Sequence, residues 1–438
     1  MTLKWQNWSG SVECDPAAIK YPTSQNEIIE IVKECQAKKL KIRVVGSGHS
    51  FTPLVQTSGV LVNLDFYSGV ETIDQEKMQA TVLAGTKIKE LGELLFAQGL
   101  AQPNLGDIDV QSIAGAISTG THGSGATLGS LSTQVCGLTI ISASGEVIEC
   151  SAEHEPELFR AAQVSMGALG IISKVKLQLV PAFKLHYEWK RLRLSEALFN
   201  IEKHVTENRN FEFFWFPYSD YVQAKFMNIT SEPAKTKSFS RRFNETVLEN
   251  GAFWLLSEFC RIFPKRSAGV SKLAANLISG GSDVNYAHRI FATPRLVKFQ
   301  EMEYSLPRQY LAKALVELDA EIRRQKFRVH FPVECRFVQA DDIYLSPANE
   351  RDSAYIAVHM YRGMEYKPYF AAMEAIFLRY GGRPHWAKHH SRTAADFASH
   401  YPHWQEFQAA RQRLDPGGLF LNDYLATVLR SQAAGVRS

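Results

Sequence analysis

No stretch of this 438-residue chain is long and apolar enough for a membrane-spanning helix, which needs about 20 such residues. The most apolar run, Gly251 to Ile262, is too short and is broken by Glu258 and Arg261, so it reads as a core-facing or interfacial helix. Met1 to Trp8 lacks the basic and apolar regions of a secretory signal, and a cytoplasmic location is expected. The six cysteines, at 14, 35, 136, 150, 260 and 335, lie far apart, with no CxxC pair and no cysteine–histidine cluster at zinc spacing. That disfavours a disulfide framework and a structural metal. Charge of one sign is also scarce, since 49 Lys and Arg face 45 Asp and Glu. The short basic groups Arg241-Arg242 and Arg323-Arg324-Gln325-Lys326 read as solvated faces and not as a nucleic-acid surface. No lysine followed by serine or threonine closes a glycine loop, and no GxGxxG opens a helix between strands. A P-loop and a nicotinamide Rossmann site are therefore disfavoured.

What remains is a globular chain, 45% hydrophobic and 21% charged, with no low-complexity tract and length enough for two cores. Two glycine-rich segments stand out. In the first, the β-type run Lys41 to Val45 ends in Gly46-Ser47-Gly48-His49-Ser50-Phe51, where two glycines permit positive φ and close approach of a ligand to the backbone. His49 is presented at the tip of that turn. Alone, a histidine at a strand-end turn is more often structural. The second segment, Gly106 to Gly125, packs Ser112, Gly115, Ser118, Thr119, Gly120, His122, Gly123 and Gly125 together. Successive amides at glycine turns form anion-binding nests, so this segment is a candidate cradle for a dinucleotide pyrophosphate.

The first third alternates strands and helices. Ser24 with Glu27 makes a capping-box pattern ahead of Ile28, Ile29, Val32 and Cys35, and Thr86 is placed to cap a helix carrying Ile88, Leu91, Leu94 and Leu95. Val135 to Cys150 reads as a hairpin turning at Ser144-Gly145, and Gly170 leads into a strand from Ile171. Pro181 marks a boundary, after which long helices alternate with strands and Ser231 to about Asn244 reads as a polar surface loop.

Three constellations follow in the second half. Glu334 and Arg336 lie two apart on a strand and share a face, opposite Val333, Cys335 and Phe337. Tyr355 to Arg362 is a second strand with His359 and Tyr361 on one side. Gly381 to Lys388 joins a turn to an aromatic residue and a lysine. Singly, these are also compatible with a plain ion pair, a core histidine and a solvated charge.

In order along the chain, Gln6-Asn7-Trp8, the His49 turn, Glu334-x-Arg336, His385-Trp386-Ala387-Lys388 and Asn422-x-Tyr424-Leu425 resemble the aldonolactone oxidases of the vanillyl-alcohol oxidase superfamily. The resemblance implies an α+β, two-domain FAD-binding fold: residues 1–181 bind FAD, residues 182–404 form an α/β substrate (cap) domain, and residues 405–438 return to the FAD domain. It implies covalent FAD through His49, with Gly46, Ser47, Gly48, Ser50 and Ile171 joining the second glycine segment as cofactor-binding residues. Glu334, Arg336, Lys388 and His359 are the implied catalytic set, and no metal is implied. The implied reaction oxidises an aldono-1,4-lactone such as L-gulono-1,4-lactone, with hydride transfer to flavin and reduction of O2 to hydrogen peroxide. D-arabinono-lactone, L-galactono-lactone and open-chain alditols (polyols) stay open as substrates. A dehydrogenase passing electrons to a quinone or cytochrome, a non-catalytic flavin binder and a nicotinamide-dependent reductase stay open as alternatives. Animal members of the family are membrane-associated, and the short apolar run here departs from that, so stable membrane insertion is not expected.

Overall fold

Alternation of side chains along one large sheet explains most of the second half of the molecule. The computed structural model describes residues 3–235, 239–292 and 296–430, with side chains from Gly251 onward in the helix Phe239–Ile262. Eight strands run in the order Gly281–Tyr286, Lys184–Arg193, Tyr221–Thr230, Asn210–Trp215, Val333–Val338, Ser353–Tyr361, Phe299–Pro307 and Arg383–Pro384, every neighbouring pair antiparallel. Successive residues point to opposite faces. Phe211, Phe213, Trp215, Val222, Ala224, Val333, Cys335, Phe337, Ile356, Val358, Met302 and Tyr304 therefore share one apolar core. The helices Leu311–Gln325 and Lys367–Arg379 cover this core with Leu315, Leu318, Ile322, Phe370, Met373 and Phe377. The residues between them, among them Lys225, Glu301, Glu303, Glu334, Arg336 and His359, face the other way, into a cavity, with Glu212 paired to Lys225 beside it.

The first part has two smaller sheets around a core of its own. Ala18–Lys20, Val60–Asn63 and Ile42–Val45 form a parallel sheet with Val60–Asn63 in the middle. The helix Gln25–Ala37 packs Ile28, Ile31, Val32 and Cys35 on it, so Ile31 takes the buried position expected of Ile29. Ser24 does cap this helix, accepting from the Glu27 amide at 3.3 Å, but the Glu27 carboxylate reaches the Thr23 amide instead of closing the box on Ser24. The second sheet is antiparallel, ordered Val147–Cys150, Val135–Ile141, Ile171–Gln178, Gln79–Leu83 and Val70–Asp74, with Gly145 at φ +82° in the expected hairpin turn. Thr86 is not the cap of the helix Ile88–Phe96. Lys87 occupies that position, and the Thr86 hydroxyl is already committed to the carbonyls of Leu83 (2.7 Å) and Gly69 (3.1 Å).

Two further differences from the sequence reading concern helices. The second glycine segment contains the short helix Ile113–Ser118, which buries Ile113, Ala116 and Ile117. The polar stretch read as a loop up to Asn244 is helical from Phe239, because the following apolar run supplies a helix that extends cheaply towards its amino end; residues 236–238 lie outside the described residues. The same helix turns Ala252, Phe253 and Leu256 to the cavity while Trp254 (50% exposed) and Leu255 (62%) face outward, so Gly251 to Ile262 is only half core-facing. Among the described residues no helix is long and apolar enough to cross a membrane.

The two cores are stitched at Ser124 and Gly125. The Gly125 amide donates to the Phe337 carbonyl at 2.7 Å, the Phe337 amide donates to Ser124 Oγ at 3.1 Å, and that hydroxyl donates to the Phe211 carbonyl. Asn210 Nδ2 completes the seam on Asn104 Oδ1 at 3.1 Å. The chain end closes on the first core through Leu419, Phe420, Leu425 and Val428. There the Ile42 amide donates to the Leu419 carbonyl at 3.0 Å, and Asn422 donates to the Pro53 carbonyl at 2.8 Å. Ser124→Ala leaves a buried amide and a buried carbonyl without that hydroxyl and is expected to lower stability by about 1–3 kcal/mol in urea unfolding. An unchanged midpoint would show that the seam contributes nothing.

Candidate active site

Two cavities meet at His49 and Gln111. The first is a groove walled by both glycine segments, Gly46 to Ser50 on one side and Ser112, Gly115, Ser118 and Thr119 on the other, with Met166, Gly167, Gly170 and Ile172 along its length. The walls approach so closely that a side chain at either of two glycines would press on Ser112. A Cβ on Gly46 would stand 2.2 Å from Ser112 Oγ, and one on Gly115 would stand 3.0 Å from it. Gly48 needs its φ of +67°, which side chains rarely adopt. A glycine-lined groove ending in a histidine suits a long, flat-headed ligand that lies against backbone.

His49 is gripped from both sides. The Trp8 amide donates to the Gly48 carbonyl at 2.8 Å, Asn7 Nδ2 donates to the Ser50 carbonyl at 2.9 Å, and the Trp8 ring stacks on the imidazole at 5.3 Å. Beyond the turn, the Phe51 amide donates to the Ala387 carbonyl at 2.7 Å and Thr52 Oγ1 to the Trp386 carbonyl at 3.0 Å. The Gln6-Asn7-Trp8 and His385 to Lys388 motifs are thus the two jaws that hold His49. Burial above all, with Lys388 and Lys87 adding, lowers its pKa to about 4, so the ring is neutral and nucleophilic at neutral pH.

The second cavity, of about 520 Å³, lies between the inner face of the large sheet and His49. Arg336 is its electrostatic centre. The guanidinium pairs with Glu334, with Asp107 at 3.2 Å and with Glu212 at 3.1 Å, and Glu212 also meets Lys225 at 3.1 Å. Against the cost of burial, Lys225 and Arg336 hold Glu212 below the usual carboxyl range. Lys388 pairs with Glu301, whose other oxygen is 3.5 Å from His359 Nε2, and stands 5.1 Å over the Phe51 ring. His122 Nε2 lies 3.3 Å from Glu303.

The structure therefore brings Glu334, Arg336, Lys388 and His359 to one cavity beside His49. Gly46, Ser47, Gly48, Ser50, Ser112, Gly115, Ser118 and Thr119 line the groove. His122 belongs instead to the second cavity, on Glu303. Gly120, with φ +74°, lines neither. Gly123 and Gly125 serve the seam between the cores, where a Cβ would meet the Leu105 carbonyl at 2.2 Å and the Arg209 carbonyl at 2.9 Å. The Ile171 side chain is in the first core, and its neighbour Ile172 faces the groove. Asp107, Glu212, Lys225, Glu301 and Glu303 were not singled out from sequence. For Glu301-x-Glu303 the signal was available, since it repeats the same-face spacing of Glu334-x-Arg336 on a strand.

Comparison with known proteins places these features. A profile described as "FAD binding domain" matches residues 16–151, and one described as "D-arabinono-1,4-lactone oxidase" matches residues 175–428. The chain belongs to the aldonolactone oxidase family. It is a FAD-dependent oxidoreductase, 41% identical over 98% of its length to the whole of a Mycobacterium tuberculosis protein named L-gulono-1,4-lactone dehydrogenase. It is 36% identical to bovine L-gulonolactone oxidase, over 97% of this chain and 98% of that one. Its fold is that of the vanillyl-alcohol oxidase type, superimposing on the cholesterol oxidase of B. sterolicum with a TM-score of 0.80 over 98% of this chain and 97% of that one, at 19% identity. The glycine-walled groove suits FAD, since both its close approaches would be filled by a Cβ. In this family member, His122, Glu303 and His385 also bring possible metal-ligand atoms within 4.8 Å of one another. Hydrogen bonds account for that cluster: His385 Nδ1 accepts from the Ala387 amide at 3.1 Å, which leaves the neutral ring's hydrogen on Nε2, and His122 Nδ1 faces the Gly123 carbonyl at 2.9 Å.

Buried histidines make the fold acid-sensitive. His385 and His390 are lowered to about 3 and His389 to about 4, mainly by desolvation. An unfolded chain protonates them near 6.5, so between those values the unfolded state binds more protons. Stability is full above about pH 6.5 and falls as pH drops. The melting temperature is expected to decrease steadily from pH 7 to pH 5, and a flat profile would place these rings in water.

Proposed function

We propose that this protein oxidises an aldono-1,4-lactone, L-gulono-1,4-lactone or a similar sugar lactone, with FAD tethered through His49 and O2 as the electron acceptor. The observation that carries the reading is the convergence of Glu334, Arg336 and Lys388 on a cavity that meets the flavin groove at His49. The names of the relatives supply the substrate class. When bound, FAD supplies the oxidant that accepts a hydride from the carbinol carbon. The protein's part is to orient the alcohol, remove its proton and stabilise charge.

Arg336 and Lys388 present fixed positive charge to the substrate oxygens. Glu334, on the same strand face as Arg336, orients that guanidinium and receives the hydroxyl proton. His359 lies beside them as a donor. Phe299, Phe331 and Phe253 close the far wall of the cavity and exclude water. A neutral His49 offers the lone pair that a covalent bond to the flavin requires. The division into a FAD-binding part, 1–181 with 405–438, and a cap, 182–404, is supported by the two separate cores, although Trp386, Phe397 and Tyr401 already pack on the first of them. A soluble, cytoplasmic setting is part of the proposal. One observation favours a second reading of the acceptor: the 41%-identical relative is named a dehydrogenase, which fits a quinone or cytochrome in place of O2.

His49→Ala is expected to remove acid-stable flavin from the precipitated protein while non-covalent FAD remains; acid-stable flavin in that variant would refute the tether. Arg336→Ala, which removes the cation shared by Glu334, Glu212 and Asp107, is expected to slow lactone-dependent flavin bleaching by about 100-fold or more. Bleaching at the normal rate would remove Arg336 from the site. Stoichiometric hydrogen peroxide during turnover in air supports the oxidase, and its absence with brisk reduction of cytochrome or quinone supports the dehydrogenase.

A further inference from the structure

The strand Phe299–Pro307 places an acid between two nitrogen groups, Lys388 and His359. Glu301 divides its carboxylate between them, one oxygen on the Lys388 ammonium and the other 3.5 Å from His359 Nε2. The His359 ring is fixed from its far side as well. Its Nδ1 lies 3.0 Å from the Pro332 carbonyl, which only accepts, so Nδ1 carries a hydrogen. A neutral ring held this way would aim the Nε2 lone pair at a carboxylate oxygen. A second proton turns that repulsion into a charge-assisted contact. Glu303 cannot substitute for Glu301, because it is turned to His122.

We propose that Glu301 is the positioning residue of this site, holding His359 as an imidazolium and Lys388 as an ammonium side by side, so that both donate to substrate oxygens and neither is the resting proton acceptor. The assignment of a substrate to those donors rests on the lactone oxidation proposed above. The surroundings of His359 agree. Burial alone would strip its proton, but Glu301 on one neighbouring strand and Glu334 on the other outweigh that and raise its pKa. Glu301 itself is lowered to about 2, since against burial it has Lys388 and His359, with Glu303 opposing. The other titratable groups near the pair are His385 and His389 on the Lys388 loop and His49 on its turn, all held neutral, and Glu303 and Asp107, which favour the Lys388 ammonium. The Phe299 ring meets His359 edge-on at 5.2 Å and Phe331 lies at 6.4 Å, which limits water access.

Glu301→Gln keeps the shape and removes the charge. In the wild-type holoenzyme, anaerobic flavin reduction by lactone should lose rate as pH rises through the raised His359 pKa. In Glu301→Gln that descending limb should move down by about one pH unit or more, the rate at pH 7 should fall by about 100-fold, and Glu301→Asp should recover part of it. A readout independent of turnover is the ring 15N signal of His359, assigned with His359→Gln. It should report an imidazolium at pH 7 in the wild type and a neutral ring in Glu301→Gln. A purely structural Glu301 would lower the melting temperature and leave both the limb and the ring signal in place, which would overturn the proposal. So would a neutral His359 in the wild type, a measurement that decides the matter even if the Gln variant does not fold. Failure of lactones to reduce wild-type flavin would sink the substrate reading alone, since the His359 titration is measured without one.

Discussion

The ionic lattice on the inner face of the large sheet is the constraint around which the rest of this molecule is arranged. Asp107, Glu212, Glu301 and Glu334 are placed against Lys225, Arg336 and Lys388, and Glu303 against His122, most of them buried. Desolvated charge at this density is tolerated only when each group has a partner at contact distance, and losing one member leaves another uncompensated. The lattice draws on four strands of the sheet, the loop holding Asp107 and the loop holding Lys388. It therefore needs all of those elements in register at once, and the apolar core on the other side of the sheet provides that register. Function and packing are two faces of the same strands.

The lattice also explains why the two halves meet where they do. Asp107 comes from the segment that forms the groove, yet its partner Arg336 is on the sheet. His122 comes from the same segment and reaches Glu303. The seam at Ser124 and Gly125 is the backbone counterpart of these side-chain contacts, a place where the groove segment adds hydrogen bonds to the strands that carry Glu212 and Arg336. The second cavity is thus a product of the interface, with walls from both halves and no complete version in either.

Much of this was legible in the residues. Two-residue spacing on a strand was enough to put Glu334 and Arg336 on one face, and the glycines around His49 were enough to expect a close approach. The organisation of the first part also followed from pattern, as at Ser24 and at the Gly145 hairpin. What pattern could not supply were the partners distant in sequence. Thr86 looked like a cap because its competing carbonyls, Leu83 and Gly69, are set by the tertiary path. Gly123 and Gly125 looked like nucleotide glycines, and their actual neighbours, Leu105 and Arg209, are in other elements. Glu301 and Glu303 carried the same spacing signal as Glu334-x-Arg336 but lay in no motif, and only the sheet order showed that their strand lies one strand away from that pair, with Ser353–Tyr361 between.

The jaws around His49 set an order of events in the life of the chain. The turn at residues 46–52 is hydrogen-bonded to Trp386 and Ala387, and the strand leading into it is bonded to Leu419, so a nascent chain lacks these bonds until residues more than 300 positions later have been made. An early histidine is in this way made to wait for a late lysine. A chain cut short before Trp386 would hold the glycines and the imidazole without one of the two jaws that grip them.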